Sequence, residues 1–271
     1  MTRLTEKDIT GLDQELVSYS RDLLKKTGMT LREIACFASG VREEEFLRAG
    51  EKLKVAVVPI TAGLGIIGGF VHSVQDIIRF LGFETVITRG TDVDGFYQAA
   101  YQKADIVFMA DDNRFIALNL HNGFIADNGI ATGRGYVAAL HGMSRGLKGK
   151  KVLVLGAGPV GRASLEFLQE LGALSAIYDT NTLSTVDIKN QDGVTIESDL
   201  DQVLIRYPYL VDATPQGSFL ALEKLHKNIM VAAPGIPLGL TADTYAMIEE
   251  RVIHDPLQIG VAVMLALASK D

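Results

Sequence analysis

Lys151-Val-Leu-Val-Leu-Gly-Ala-Gly-Pro-Val-Gly161 joins a short apolar run to three glycines in the spacing G-x-G-x-x-G and opens an amphipathic stretch. The pattern predicts a buried strand, a tight turn and a helix, the unit that begins a doubly wound dinucleotide-binding sheet. Each glycine meets a separate demand. Gly156 permits the turn off the strand, Gly158 leaves the backbone bare for a pyrophosphate, and Gly161 lets the helix lie against the sheet. Pro159 and Val160 start that helix, whose unpaired amides and positive dipole end face the phosphates. The next apolar run, 173–178, ends at Asp179, where a carboxylate holds the adenosine ribose hydroxyls and repels a 2′-phosphate. No cation follows in Thr180-Asn181-Thr182, so NAD is expected rather than NADP. A turn or capping role is the alternative for Asp179.

Outward from this stretch, apolar runs alternate between short strands and helical spacing. Before it, residues 5–49 read as helical; 55–60, 85–88 and 106–110 read as strands, and 68–81 and 96–103 as helices. A helical segment at 114–120 and a connecting helix at 131–146 follow. After it come strands at 173–178, 194–196, 209–213, 228–232 and 251–253, helices near 200–205, 221–226 and 242–250, and an apolar helix at 257–268. The expected fold class is α/β: a small N-terminal parallel α/β domain over 1–128, then a Rossmann domain over 129–271, with a cleft between them.

The chain has 271 residues, 48% of them apolar, enough for a substantial core. Its single cysteine, Cys36, excludes an internal disulfide and a thiolate metal cluster, and suits a reducing cytoplasm. The first residues carry no apolar signal core, and no apolar stretch is long enough to span a bilayer. The net charge of −7, with no basic cluster, offers nothing to nucleic acid. The histidines lack metal-ligand spacing, so no metal is expected. The partners expected are a small molecule and, given the apolar helices, a second copy in a homodimer.

Two strand ends in the second half, Asp212-Ala-Thr-Pro215 and Ala232-Ala-Pro-Gly235, leave the sheet at its carboxyl edge, where open α/β folds bind ligands. Thr214, Pro215, Ala233, Pro234 and Gly235 are candidates to border the nicotinamide ribose; turn-making is the alternative. In the first half, Thr61-Ala-Gly-Leu-Gly-Ile-Ile-Gly-Gly69 also runs from strand to helix, and its amides form an anion cradle suited to a substrate carboxylate. It is no P-loop, since no Gly-Lys-Ser/Thr closes it. The third strand ends in Asp111-Asp112-Asn113. Successive side chains of an extended chain point opposite ways, so one acid is expected to serve chemistry, Asp111, while Asp112 caps the next helical segment. Asn128 is a candidate to orient substrate or to cap the connecting helix.

Val58–Phe70, Phe108–Asn113, Leu155–Gly161, Ala232–Pro237 and Asp255-Pro-Leu-Gln-Ile-Gly260 together resemble the pyrrolysine synthase family, from about Leu4 to the C-terminus. The resemblance implies an NAD-dependent oxidation of the terminal primary amine of L-lysine that carries a 3-methyl-D-ornithyl group on its ε-nitrogen. An imine forms, the D-α-amine closes the ring and ammonia leaves. It places the family's acidic residue on Asp111 and its substrate loop on Ala62, Gly63, Leu64, Gly65, Ile66 and Ile67. Ala62 and Leu64 replace a serine and an asparagine of other members, so backbone amides carry the contacts there. Leu4 and Asn128 are expected to touch the substrate too, Leu4 from a terminal helix that closes as a lid. The competing readings are a dehydrogenase of the methylene-tetrahydrofolate or shikimate type and a non-catalytic NAD-sensing module. The first lacks its catalytic lysine motifs here, and the second leaves the paired acids idle.

Overall fold

The computed structural model describes residues 12–188 and 193–270; Leu4 and the helix expected around it lie outside them. The chain divides into two compact units, Met1–Asp22 with Thr30–Ala131 and Pro256–Asp271, and Leu23–Met29 with Thr132–Asp255.

The first unit holds a five-stranded sheet in the order β2-β1-β3-β4-β5. Strands β1 (Lys54–Val58), β2 (Glu84–Ile87) and β3 (Ile106–Ala110) are parallel, whereas β4 (Phe115–Asn119) and β5 (Ile125–Asp127) fold back antiparallel. The helical segment expected at 114–120 is therefore a strand, and the sheet expected to be parallel is mixed. Burial along β4 alternates, with Phe115, Ala117 and Asn119 inside. The alternation is hidden in the sequence because Ile116 and Leu118, on the other face, are apolar as well.

Within the described residues, the helical region expected over 5–49 holds helices α1 (Leu12–Thr27), α2 (Leu31–Ser39) and α3 (Glu43–Gly50). Gly28 and Gly40, with φ of 76° and 72°, end the first two of them in the left-handed conformation that other residues adopt at a cost. Thr30 then restarts the chain with a capping box: its hydroxyl accepts the Glu33 N–H, and the Glu33 carboxylate accepts the Thr30 N–H at 2.6 Å. The bonds that Thr30 donates to the Glu33 carboxyl, from its N–H and its hydroxyl, hold that carboxyl below its ordinary pKa. Helices α4 (Phe70–Phe80) and α5 (Asp92–Tyr101) connect the parallel strands.

The second unit is a six-stranded parallel sheet in the order β11-β10-β9-β6-β7-β8. Its strands are β6 (Lys151–Leu155), β7 (Leu174–Tyr178), β8 (Val194–Ile196), β9 (Tyr209–Asp212), β10 (Met230–Ala232) and β11 (Val252–Ile253). The chain runs outward from β6 to β8, then returns to β9 on the other side of β6, which makes the β6/β9 pair the switch point of a doubly wound fold. Helices α6 (Asn128–Met143), α7 (Pro159–Glu170), α8 (Leu200–Arg206) and α9 (Ala242–Ile248) accompany it. The helix expected at 221–226 shrinks to a single 3-10 turn, Leu222–Lys224. Leu153, Leu155, Val203, Leu210 and Val231 lie in its core.

The last helix, α10 (Gln258–Ala268), belongs to the first unit, not to the dinucleotide-binding half where the sequence reading places it. It is apolar all round and needs cover on every side. It packs on α2, α4, β4 and β5. Asn119, buried on β4, fastens its end: the side-chain amide donates to Ala268 O at 2.8 Å, and its oxygen accepts the N–H of His121 at 2.8 Å and of Asn122 at 3.2 Å. Asn119→Ala removes the partner of these groups and is expected to cost about 1–3 kcal/mol in urea denaturation. A loss below about 0.5 kcal/mol, the range of an ordinary surface change, would contradict this.

Candidate functional site

In the first unit the loop 61–69 runs from β1 to α4, and Gly63, Gly65 and Gly69 take positive φ of 75°, 83° and 79°. Two acids pin it. Asp92 accepts the Thr61 N–H at 2.8 Å and the Thr61 hydroxyl at 2.6 Å, bonds that hold its carboxyl below the usual range. Asp92 itself sits at a φ of 54°, a conformation that costs about 1 kcal/mol and persists because these bonds require it. Asp112 accepts the Leu64 N–H at 2.6 Å. A Cβ added to Gly63 would lie 2.1 Å from the same carboxylate oxygen, so Gly63 is required both for its φ and for its lack of bulk.

The two consecutive acids thus have different duties. Asp111 closes the hairpin turn between β3 and β4: one carboxylate oxygen accepts the N–H groups of Asn113 and Arg114 at 2.8 and 2.7 Å, while its own N–H donates to Arg114 O. The side chain is exposed, and among the described residues its second oxygen accepts no hydrogen bond. Asp112 is not the helix cap that the sequence suggests, since no helix follows it; it is the clamp of the glycine loop. That clamp also occupies one amide of the expected anion cradle. What the loop turns outward is apolar: Leu64 is 79% exposed and Ile66 48%. Ala62 is exposed as well, and Ile67 is half-buried. Asn128 begins α6, but Asp127 caps it, accepting the Gly129 N–H at 2.8 Å and pairing with Arg114 at 3.2 Å.

In the second unit the fingerprint turn has little freedom. A Cβ on Gly161 would lie 1.9 Å from the Gly156 carbonyl oxygen, and one on Gly156 would lie 2.9 Å from that of Ala213. Among the described residues, a Cβ on Gly158, the N-cap of α7, would meet nothing within 4 Å, and no side chain caps the helix that Pro159, Val160 and Gly161 begin. An uncapped helix start beside a bare glycine fits a pyrophosphate. Asp179, just beyond β7, accepts the Ala157 N–H at 2.6 Å with one oxygen and the Asn181 N–H at 2.7 Å with the other. It therefore makes the turn and also stands against the fingerprint.

The remaining candidates gather at the carboxyl edge of the same sheet. Gly235 N–H donates to Asp212 O at 2.9 Å, and a Cβ there would meet Thr214 O at 2.2 Å, so the loop with Ala233 and Pro234 lies on the loop with Thr214 and Pro215. Ala233 is held by β11, its N–H on Ile253 O and its carbonyl against His254 Nδ1 at 2.7 Å.

Asp212 ends β9 beneath these loops, a residue that sequence reasoning quotes only as part of a strand end; its signal is an acid closing the apolar run Tyr209–Val211. One oxygen accepts the Thr214 hydroxyl at 2.7 Å, and among the described residues the other meets no donor in hydrogen-bond geometry. Burial pushes this carboxyl up to about 6, against the opposing pull of Thr214 and of the nearby His254.

Among the described residues no helix is long and apolar enough to cross a membrane, and no His, Cys, Asp and Glu side chains group as metal ligands. The arrangement matches solved two-domain dehydrogenases in fold. Quinate dehydrogenase from Corynebacterium glutamicum superposes with a TM-score of 0.56 at 15% identity, covering 80% of this chain and 93% of that one. Shikimate 5-dehydrogenase from Thermus thermophilus gives 0.53 at 18%, covering 80% and 91%. The fold is thus of the shikimate-dehydrogenase type, an α/β unit joined to a doubly wound one. A family model described as pyrrolysine biosynthesis protein PylD, N-terminal domain, matches residues 8–126. Pyrrolysine synthase of Methanosarcina acetivorans is 31% identical over 268 residues, 98% of each chain, and that of Methanosarcina barkeri 30% over 267, 98% of this chain and 97% of the other. The chain belongs to the pyrrolysine synthase family.

Two measurements check this geometry. Asp112→Ala frees the Leu64 amide, and loss of a charge-assisted bond worth about 1.5–3 kcal/mol should speed its hydrogen exchange about 10- to 100-fold; unchanged exchange would show that Asp112 does not hold the loop. Asp212 keeps its proton in the fold up to about pH 6, whereas in the unfolded chain it ionises near its ordinary value of 3.8. Its raised pKa thus favours the fold most below pH 3.8, and that advantage drains away as pH rises to about 6, by an amount on the order of 3 kcal/mol. The stability of Asp212→Asn relative to the parent should therefore improve between about pH 4 and pH 7, and a pH-independent difference would refute the assignment.

Proposed function

We propose that the protein is an NAD-dependent dehydrogenase acting on the terminal primary amine of L-lysine-Nε-3-methyl-D-ornithine, giving an imine that closes to the pyrroline ring. The observation that carries the reading is membership of the family over nearly the whole chain, and the resemblance puts the family's acidic residue at Asp111. Chemistry supports it. The substrate carries three ammonium groups against one carboxylate, and the first unit offers it an acid in Asp111, the neighbour of Asp112, which with Asp92 holds the glycine loop. Leu64 and Ile66 supply apolar surface to its methylene chain.

Dinucleotide binding falls to the second unit. Gly156, Gly158 and the first amides of α7 hold the pyrophosphate, Asp179 takes the adenosine ribose, and Thr214, Pro215 and Ala233–Gly235 border the nicotinamide side. When bound, the nicotinamide ring supplies a hydride acceptor.

The chain's own task is proton management. A protonated amine has no lone pair to stabilise the carbon that loses hydride, so one proton must leave the nitrogen before or during transfer. Asp111 is built to receive it. One of its oxygens is fixed by two backbone amides, which sets the direction of the other. That second oxygen first binds the ammonium and then accepts its proton. Ion pairing raises the amine's pKa and opposes proton loss, so positioning is the larger part of its role. The resulting imine is attacked by the substrate's own D-α-amine, and ammonia departs as the new C=N bond forms.

Asp111→Asn retains an oxygen for the turn amides and loses only the charge. Turnover, followed as substrate-dependent growth of NADH absorbance, should fall about 10²- to 10⁴-fold, with NADH affinity unchanged in a fluorescence titration. Full turnover in this variant would reject the role. Absence of any NADH formation by the parent enzyme with this substrate would reject the function.

A further inference from the structure

The segment that follows Asp179 is stapled to the fingerprint turn at both ends, and the residue between the first two glycines is where the staples meet. Asp179 accepts the Ala157 N–H at 2.6 Å, and Arg162, in the first turn of α7, donates its Nε–H to the Ala157 carbonyl at 2.9 Å. The rest of the Arg162 guanidinium is spent on the far end of the segment. Nη1 donates to Asp187 Oδ2 at 2.6 Å, and Nη2 donates to Asp187 Oδ1 at 3.0 Å and to Ser184 O at 2.6 Å. The pairing with Asp187 is bidentate, the geometry in which an arginine also grips a phosphate.

Arg162 is close enough to Asp179 for that carboxylate's charge to act on it. The sequence alone hides this, because a search for a cation after Asp179 runs along the chain, whereas Arg162 approaches from the preceding helix. A guanidinium beside the ribose-binding acid is what a dinucleotide with a 2′-phosphate requires. Here its charge and four of its hydrogen bonds are already committed to the protein.

We propose that Asp187 is a cofactor-specificity residue: by holding the Arg162 guanidinium it denies a 2′-phosphate its counter-charge. Discrimination against NADP then has two layers, repulsion by Asp179 and sequestration of Arg162 by Asp187. The inference rests on the proposed placement of the adenosine ribose at Asp179, and the test separates the two. Asp187 is exposed and the Arg162 side chain retains 34% of its accessible surface, so replacing Asp187 leaves a guanidinium in contact with solvent.

The experiment titrates the full-length protein, without amino-acid substrate, with NADH and NADPH by nicotinamide fluorescence, and with AMP and adenosine 2′,5′-bisphosphate by calorimetry. The parent should bind NADH at least about tenfold more tightly than NADPH, and Asp179→Asn should narrow that ratio. In the Asp179→Asn background, adding Asp187→Asn should tighten NADPH and the bisphosphate about tenfold or more while moving NADH and AMP less than about threefold, as expected for one freed arginine on one phosphate. Adding Arg162→Gln should cancel the gain, and Asp187→Glu in place of Asp187→Asn should not produce it. Equal binding of both cofactors by the parent would remove the placement at Asp179 itself. Parent discrimination with no selective gain from Asp187→Asn would overturn the role of Asp187 alone, as would a gain that survives Arg162→Gln. Equal weakening of all four ligands by Asp187→Asn would show a structural staple only, and would likewise overturn the proposal.

Discussion

The second unit depends on a close approach that only a missing side chain permits. Helix α7 lies so near the end of β6 that a single methyl on Gly161 would collide with the Gly156 carbonyl, and Gly156 in turn lies against the backbone after β9. These two contacts bring the first helix and the switch-point strands together and leave the start of α7 uncapped. Bulk at either place would push the helix outward and move its free amides away from any phosphate.

Four aspartates show how backbone context divides the work among identical side chains. Asp111 spends one oxygen on a hairpin turn and offers the other. Asp112 spends its charge on a glycine loop. Asp179 straddles a turn and the fingerprint, and Asp212 is buried deeply enough that its proton is retained to about pH 6. Residue type alone ranks these four as equals. The amides that happen to surround each carboxylate separate them.

Much of this is legible in the sequence, and the failures have physical causes. The fingerprint turn, strands β3, β6 and β8, and the doubly wound class follow from local periodicity and glycine spacing. Strand β4 reads as helix because both its faces are apolar, so no alternation is visible. The helical region 5–49 is legible as such, whereas the places where its helices end are set by Gly28 and Gly40, whose positive φ is a matter of tertiary fit. An all-apolar helix carries no mark of which core it will fill, and so the sequence assigns α10 to the wrong half. In the site, Asp111 and the glycine loop are legible as motif. The clamp by Asp112, the anchor at Asp92 and the Arg162–Asp187 pair are not, since each joins residues at least 25 positions apart.

The threading of α10 has a consequence for how the chain matures. Its first unit is discontinuous, completed by a helix that is translated only after the whole second unit. On the ribosome, the doubly wound sheet has all of its strands while the earlier one still shows the apolar surface that α10 will cover. Nascent chains must therefore carry that open face through most of their synthesis, and the half that is made first is the one that closes last.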